Sequence, residues 1–224
     1  MDQISRRDFL REGTQGLAAW GAGGLLLMRG ASPTEASGEP GADGQLLAAL
    51  GERAEPRPPA PTERVTLGPF YRQGAPFRAK VTPPLEPGPV LVIRGRVWGH
   101  DTGQPLPGAV LDVWQADAAG RYSGGGEDFG NRARMRTDES GRYEFETIRP
   151  GGYRAGAFTR AGHIHCLVRH PGYPDLVTQI FFAGDPLLAG DPLVKPSLTI
   201  PLRRAEAGGR PYETGTFDIV LARG

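Results

Sequence analysis

The stretch "AVLDVWQA", residues 109–116, decides the fold. Val110, Asp112 and Trp114 fall on one side of an extended chain, and Leu111 and Val113 on the other, the period-two pattern of a strand with one buried face. The pattern recurs along the chain. "VLVIRGRVWG" (90–99) is β-branched and ends on glycine, and "GRYEFETI" (141–148) sets Tyr143, Phe145 and Thr147 against charged positions. "HIHCLVRH" (163–170), "LVTQIFFA" (176–183), "SLTIPL" (197–202) and "TFDIVLA" (216–222) follow. Turn-forming runs such as "DTGQPLPG" and "TDESG" separate them, and no long amphipathic helix intervenes. From Val65 onward the chain reads as an all-β sandwich with long loops. Its 34 glycines and 22 prolines suit many short strands joined by tight turns.

The 224 residues fit one domain with extensions, enough to bury a core. With 26 basic against 25 acidic residues, nothing points to a nucleic-acid partner. A single cysteine excludes an intrachain disulfide framework. Residues 1–36 stand apart. "SRRDFL" (5–10) precedes the apolar "GLAAWGAGGLLLM" (16–28), which is too short and glycine-rich for a membrane span. The segment resembles a twin-arginine export signal, which implies the twin-arginine translocase as a partner during export and a periplasmic or extracellular destination. Residues 37–62 read as a linker or N-terminal arm, Pro-rich at its end, and residues 63–224 as the sandwich domain.

The four histidines include a close pair in "RAGHIHC" (160–166). In a strand His163 and His165 share a face, so both imidazoles can reach one metal. Ile164, Cys166 and Val168 then point into the core, which makes Cys166 a small buried hydrophobe and not a nucleophile. Taken alone, the pair fits two core-satisfied histidines as well as it fits a metal site. Two tyrosines in loop-like surroundings add weight: Tyr122 in "AAGRYSGGG" and Tyr153 in "RPGGY". Phenolates are hard anionic ligands that favour Fe(III). Tyr143, by contrast, reads as core.

"GQPLPGAVLDVWQAD" and "TDESGRYEFETIRPGGY" resemble the broad group of prealbumin-like sandwiches, many of them metal-free binding or accessory modules. A non-catalytic module is therefore one alternative, and a sandwich holding Cu or Zn through the histidines alone is another. A larger set of stretches carries a sharper likeness. "GPFYRQGAP" (68–76), "VWQADAAGRY" (113–122), "GRYEFETIRPGGY" (141–153), "RAGHIH" (160–165) and "LVTQIFF" (176–182), in this order, resemble the intradiol ring-cleavage dioxygenases. The resemblance implies one mononuclear non-haem Fe(III) per chain, held by Tyr122, Tyr153, His163 and His165. It implies O2 and a catechol-type aromatic as substrates, and a cis,cis-muconate-type diacid as product. The family's arginine three residues before the first histidine maps onto Arg160, expected to meet negative charge on the ring. Its glutamine maps onto Gln179, and Tyr153 is the ligand expected to leave when substrate binds, with Gly151 and Gly152 supplying freedom. The related enzymes commonly assemble, which makes a homo-oligomer an expectation too. Strict alternation would put Arg160 on the face opposite His163, so a break or bulge is expected at Gly162. The sequence departs from the family after Tyr153, where Ala155 replaces a residue able to stack on a ring, so an altered substrate pocket is expected. The layout, without a long helical N-terminal segment, is nearer to protocatechuate 3,4-dioxygenase subunits than to catechol 1,2-dioxygenases.

Overall fold

The structure, a computed structural model, describes residues 60–123 and 129–223. The export-signal segment 1–36, most of the 37–62 linker and part of the "SGGGEDFGN" loop lie outside the described residues. Twelve strands follow in chain order: β1 (Val90–Gly99), β2 (Val110–Gln115), β3 (Arg132–Arg136), β4 (Arg142–Ile148), β5 (Tyr153–Ala155), β6 (Phe158–Arg160), β7 (His163–Arg169), β8 (Leu176–Phe182), β9 (Thr199–Ile200), β10 (Arg203–Ala207), β11 (Arg210–Thr216) and β12 (Ile219–Leu221). Among the described residues the helices are short 3₁₀ turns, Leu188–Gly190 and Pro196–Leu198.

Two sheets form the sandwich expected from alternation. In the first, β1 is central, with β4 antiparallel along one edge and β11 then β12 parallel along the other. The second runs β3-β2-β7-β8-β9. A small separate ribbon pairs β5 with β6. The inner faces meet in one core. Leu111, Val113, Ile164, Cys166 and Ile180 from the second sheet, and Leu91, Ile93 and Ile219 from the first, are all 0% exposed. Each such aliphatic side chain contributes about 1.5–3 kcal/mol by leaving water. Cys166 and Tyr143 sit in this core, as alternation requires.

Three local readings change. Residues 60–89 are irregular, not strand: Pro61, Pro69, Pro76, Pro83, Pro84, Pro87 and Pro89 interrupt any ladder. This arm runs from β8 of the second sheet to its β3 edge and on to β4 of the first sheet. Val65 N donates to Val177 O, Arg134 N donates to Pro76 O, and Val81 N donates to Glu146 O. "SLTIPL" keeps only Thr199–Ile200 as strand. "TFDIVLA" is split: β11 ends at Thr216, Phe217 N donates to Arg94 O, and pairing resumes at Ile219. The Arg-rich β3 and β10 escape a hydrophobic pattern because they lie at sheet edges, where charge is tolerated.

Candidate metal centre

The second sheet's outer face carries the site. Pairing register puts Trp114 of β2, His165 of β7 and Gln179 of β8 in one row, directly opposite one another. Cross-strand partners project to the same face. Trp114 stacks on His165 with ring centroids 4.7 Å apart and planes 8° from parallel. His163 lies two residues on, and its Nε2 is 3.1 Å from His165 Nε2. The Ala161 carbonyl accepts from His163 Nδ1 at 2.6 Å, which fixes that ring as the tautomer with a lone pair on Nε2. Both rings are 2% exposed. Burial, together with the Arg160 charge, pulls the pKa of His163 down to about 4. Burial, then the neighbouring His163 and Arg160, holds His165 well below the ordinary histidine value. Both are neutral imidazoles at pH 7, the form that binds metal.

The tyrosines arrive from loops. Tyr122 lies in the loop between β2 and β3, and Tyr153 opens β5; their rings are 5.5 Å apart. Tyr153 is 5.8 Å from His163, and Tyr122 is 6.5 Å from His165. Thus the four residues mapped by resemblance come together, from three separate segments: the β2–β3 loop, β5 and β7. Among the described residues the buried Tyr122 hydroxyl has no well-formed hydrogen-bond partner, and its nearest polar neighbour is Tyr153. Burial first, then the adjacent Tyr153, drives its pKa well above the ordinary tyrosine value. A buried polar atom without a partner is uncommon and marks a place for a missing one. Neutral imidazoles whose Nε2 atoms converge, beside an orphaned phenol, fit a hard cation whose charge would stabilise the phenolate. Among the described residues no group of three or more His, Cys, Asp and Glu can hold a metal, so a cation here draws on the phenols.

Arg160 and Gln179 join the same site. Arg160 is 5% exposed, and its Nη2 donates to Gln179 Oε1 at 2.8 Å. Gln179 Nε2 is 3.3 Å from His165 Nδ1. The alternation problem is solved by a break: β6 ends at Arg160, β7 begins at His163, and Ala161–Gly162 bridges them outside either strand. Gly162 is not a bulge residue. A Cβ there would meet the Pro150 carbonyl oxygen at 2.3 Å, so glycine is required for close approach. The same holds upstream. A Cβ on Gly151 would come 2.3 Å from Ala118 O, and one on Gly152 would come 2.6 Å from Arg160 O. The expected freedom before Tyr153 is therefore not what this glycine pair provides; it lets three backbones pack together.

Several residues here went unnoticed in the sequence. Phe70 stacks on Tyr122 at 4.0 Å and meets Tyr153 edge-on at 5.9 Å. Tyr71 packs on Trp114 and donates to Asp112 Oδ2 at 3.1 Å, tying the arm over the sheet. Arg132, 2% exposed, donates to the Phe70 carbonyl and to Ser123 beside Tyr122. Asp191 holds Arg160. Phe70 and Tyr71 lay within "GPFYRQGAP", a signal for the motif but not for a role.

The family model Dioxygenase_C, described as "Dioxygenase", matches residues 67–223. The chain belongs to this dioxygenase family. Among curated relatives it is 38% identical to catechol 1,2-dioxygenase 2 of Acinetobacter lwoffii, over 58% of this chain and 54% of that protein. It is 33% identical to chlorocatechol 1,2-dioxygenase of Rhodococcus opacus, over 71% of this chain and 72% of that one. A solved dioxygenase domain from Streptomyces sp. SirexAA-E, part of a fusion with a carbohydrate-binding protein, superposes with a TM-score of 0.63 at 36% identity. That match covers 73% of this chain and 99% of the solved one. The chain spans about half the length of several curated relatives, 54% for the Acinetobacter protein and 53% for an Aspergillus niger intradiol ring-cleavage dioxygenase. The all-β sandwich read from the sequence is the fold of this family.

Proposed function

We propose that this protein is an intradiol dioxygenase, opening a catechol-type aromatic between its two hydroxyl-bearing carbons with O2 to give a cis,cis-muconate-type diacid. The observation that carries the reading is the convergence of Tyr122, Tyr153, His163 and His165 around one buried point, with Arg160 and Gln179 alongside. These side chains would hold one non-haem Fe(III). Bound there, the ferric ion would draw electron density from a catecholate and so make the ring reactive toward O2.

The protein's own groups supply the rest. The His163 Nδ1–H···O=C bond and the Trp114 stack fix both imidazoles before any ligand arrives. Phe70, stacked on Tyr122 and edge-on to Tyr153, holds the two phenol rings against each other. Arg160 brings a buried positive charge to the site, felt at Tyr122 and both histidines, and would stabilise negative charge on the bound ring. Tyr153, at the start of a three-residue strand, is the phenol able to leave and take up a substrate proton. Ala155, two residues after Tyr153 on the ribbon, carries no ring to stack on a substrate. The test is oxygen uptake by iron-reconstituted protein: one O2 consumed per catechol, with a ring-opened diacid as product. Iron-loaded protein that consumes no oxygen with catechol, chlorocatechol or hydroxyquinol would exclude the reading.

We infer also that residues 1–36 direct export by the twin-arginine route to the periplasm or beyond. The support is "SRRDFL" followed by a short apolar run. Replacing Arg6 and Arg7 together by lysine should leave the protein in the cytoplasm; unchanged export would refute the inference.

A further inference from the structure

We propose that Asp191 is the positioning residue that sets the Arg160 guanidinium, and through it the Gln179 amide, toward the metal centre. The proposal rests on the reading of Arg160 as the cation that meets the substrate's negative charge. Asp191 follows the 3₁₀ turn Leu188–Gly190, and its side chain is 0% exposed. Its carboxylate accepts from Arg160 Nε through both oxygens, at 3.1 and 2.9 Å. It also accepts from the backbone amides of Ala161 and Leu193, each at 2.9 Å.

The direction of approach matters more than the charge. A carboxylate usually meets an arginine as a fork on two parallel N–H groups. Asp191 instead takes the Nε edge with both oxygens. That choice turns Nη2 to Gln179 Oε1 at 2.8 Å, and Gln179 Nε2 then lies 3.3 Å from His165 Nδ1. Asp191, Arg160 and Gln179 thus form one continuous buried chain, whose far end lies beside the His165 ring. Asp191 takes Arg160 Nε and Gln179 takes Nη2, and neither uses Nη1, which leaves an N–H edge of the guanidinium for an anion. Neighbouring contacts of the same segment serve the backbone: Asp185 Oδ2 accepts from Gly162 N at 3.1 Å. Of these two carboxylates it is Asp191 that reaches the Arg160 side chain, and it also bonds Ala161 N. Its action through the side chain must therefore be separated from its action through the backbone.

Two measurements do so. In the metal-free protein, the Arg160 Nε–H should give a slowly exchanging ¹⁵N-correlated resonance, assigned by its absence in Arg160→Met. In Asp191→Asn that proton should exchange at least about tenfold faster, because an uncharged partner holds it less strongly. In the iron-loaded protein, Asp191→Asn should lower kcat/KM for catechol by about 10²-fold, the scale of a 1 Å misplacement of a catalytic group. In an Arg160→Met background the same substitution should cost less than about threefold, since coupled residues are not additive. An Nε–H equally protected in Asp191→Asn, or an equal loss of kcat/KM in both backgrounds, overturns the proposal and leaves Asp191 a backbone clamp. If Asp191→Asn does not fold, Asp191→Glu takes its place in the kcat/KM cycle alone: its extra methylene displaces the guanidinium, so a loss confined to the Arg160 background is expected, and an equal loss in both backgrounds overturns the proposal. If the wild-type protein turns over no catechol, the dioxygenase reading fails while the Nε–H measurement still decides the positioning.

Discussion

Gly162→Ala probes the joint that lets Arg160 and His163 face the same site. The added Cβ would lie 2.3 Å from Pro150 O, 3.2 Å from Asp185 Oδ2 and 3.3 Å from the Pro150 carbonyl carbon. The nearest atom belongs to backbone, so rotating a side chain cannot relieve the clash. Reaching ordinary contact needs a displacement of roughly 1 Å, and overpacking of this kind costs about 1–3 kcal/mol. For a domain of this size each kcal/mol lowers Tm by about 2–4 °C, so a drop of roughly 4–8 °C is expected for a mid-range cost. The displaced joint should also weaken Fe(III) uptake, because it feeds directly into the β7 strand carrying both histidines. Gly190→Ala is the control: nothing lies within 4 Å of its added Cβ, and its φ is not positive. Thermal melts of the metal-free proteins and iron titrations would be compared. A Gly162→Ala protein that melts with the wild type and takes up iron equally well would refute the reasoning.

Cys166 should resist a maleimide reagent in the native protein and react once unfolded. It is 0% exposed, and burial raises its thiol pKa to about 12; prompt native labelling would contradict the inward strand face. The metal-free protein should lose stability on acidification between pH 6.5 and 4. The unfolded chain binds a proton at His163 near 6.5, the folded chain only near 4, so the stabilisation present above 6.5 falls by on the order of 3 kcal/mol at the lower end. His165 adds in the same direction. His163→Gln should flatten the melting-temperature profile over that window, and an identical profile for both proteins would rule the mechanism out.

Strand alternation carried much of the fold. The inward Cys166, the outward histidine pair and the core Tyr143 all follow from period-two patterning in "HIHCLVRH" and "GRYEFETI", because one face of each strand is buried against the other sheet. The tyrosines could be named only through resemblance, since no periodicity places a loop residue. Pairing register was illegible. That Trp114 lies opposite His165, and His165 opposite Gln179, depends on which strands neighbour one another, a long-range property. Asp191 was hidden for the same reason, 31 residues from Arg160 in sequence and in contact in space. The glycines near Tyr153 and His163 were visible, but their purpose was not. Close approach to Ala118, Arg160 and Pro150 carbonyls is a demand set by the assembled loops and by no local conformation.

The central claim is that Tyr122, Tyr153, His163 and His165 form one ferric site. Its most direct measurement is the visible spectrum of the Fe(III)-reconstituted protein, alone and with catechol added anaerobically. The account predicts a tyrosinate-to-iron charge-transfer band that shifts when catechol binds and weakens in Tyr122→Phe. A protein that stays colourless with iron, or a band untouched by Tyr122→Phe, would contradict it.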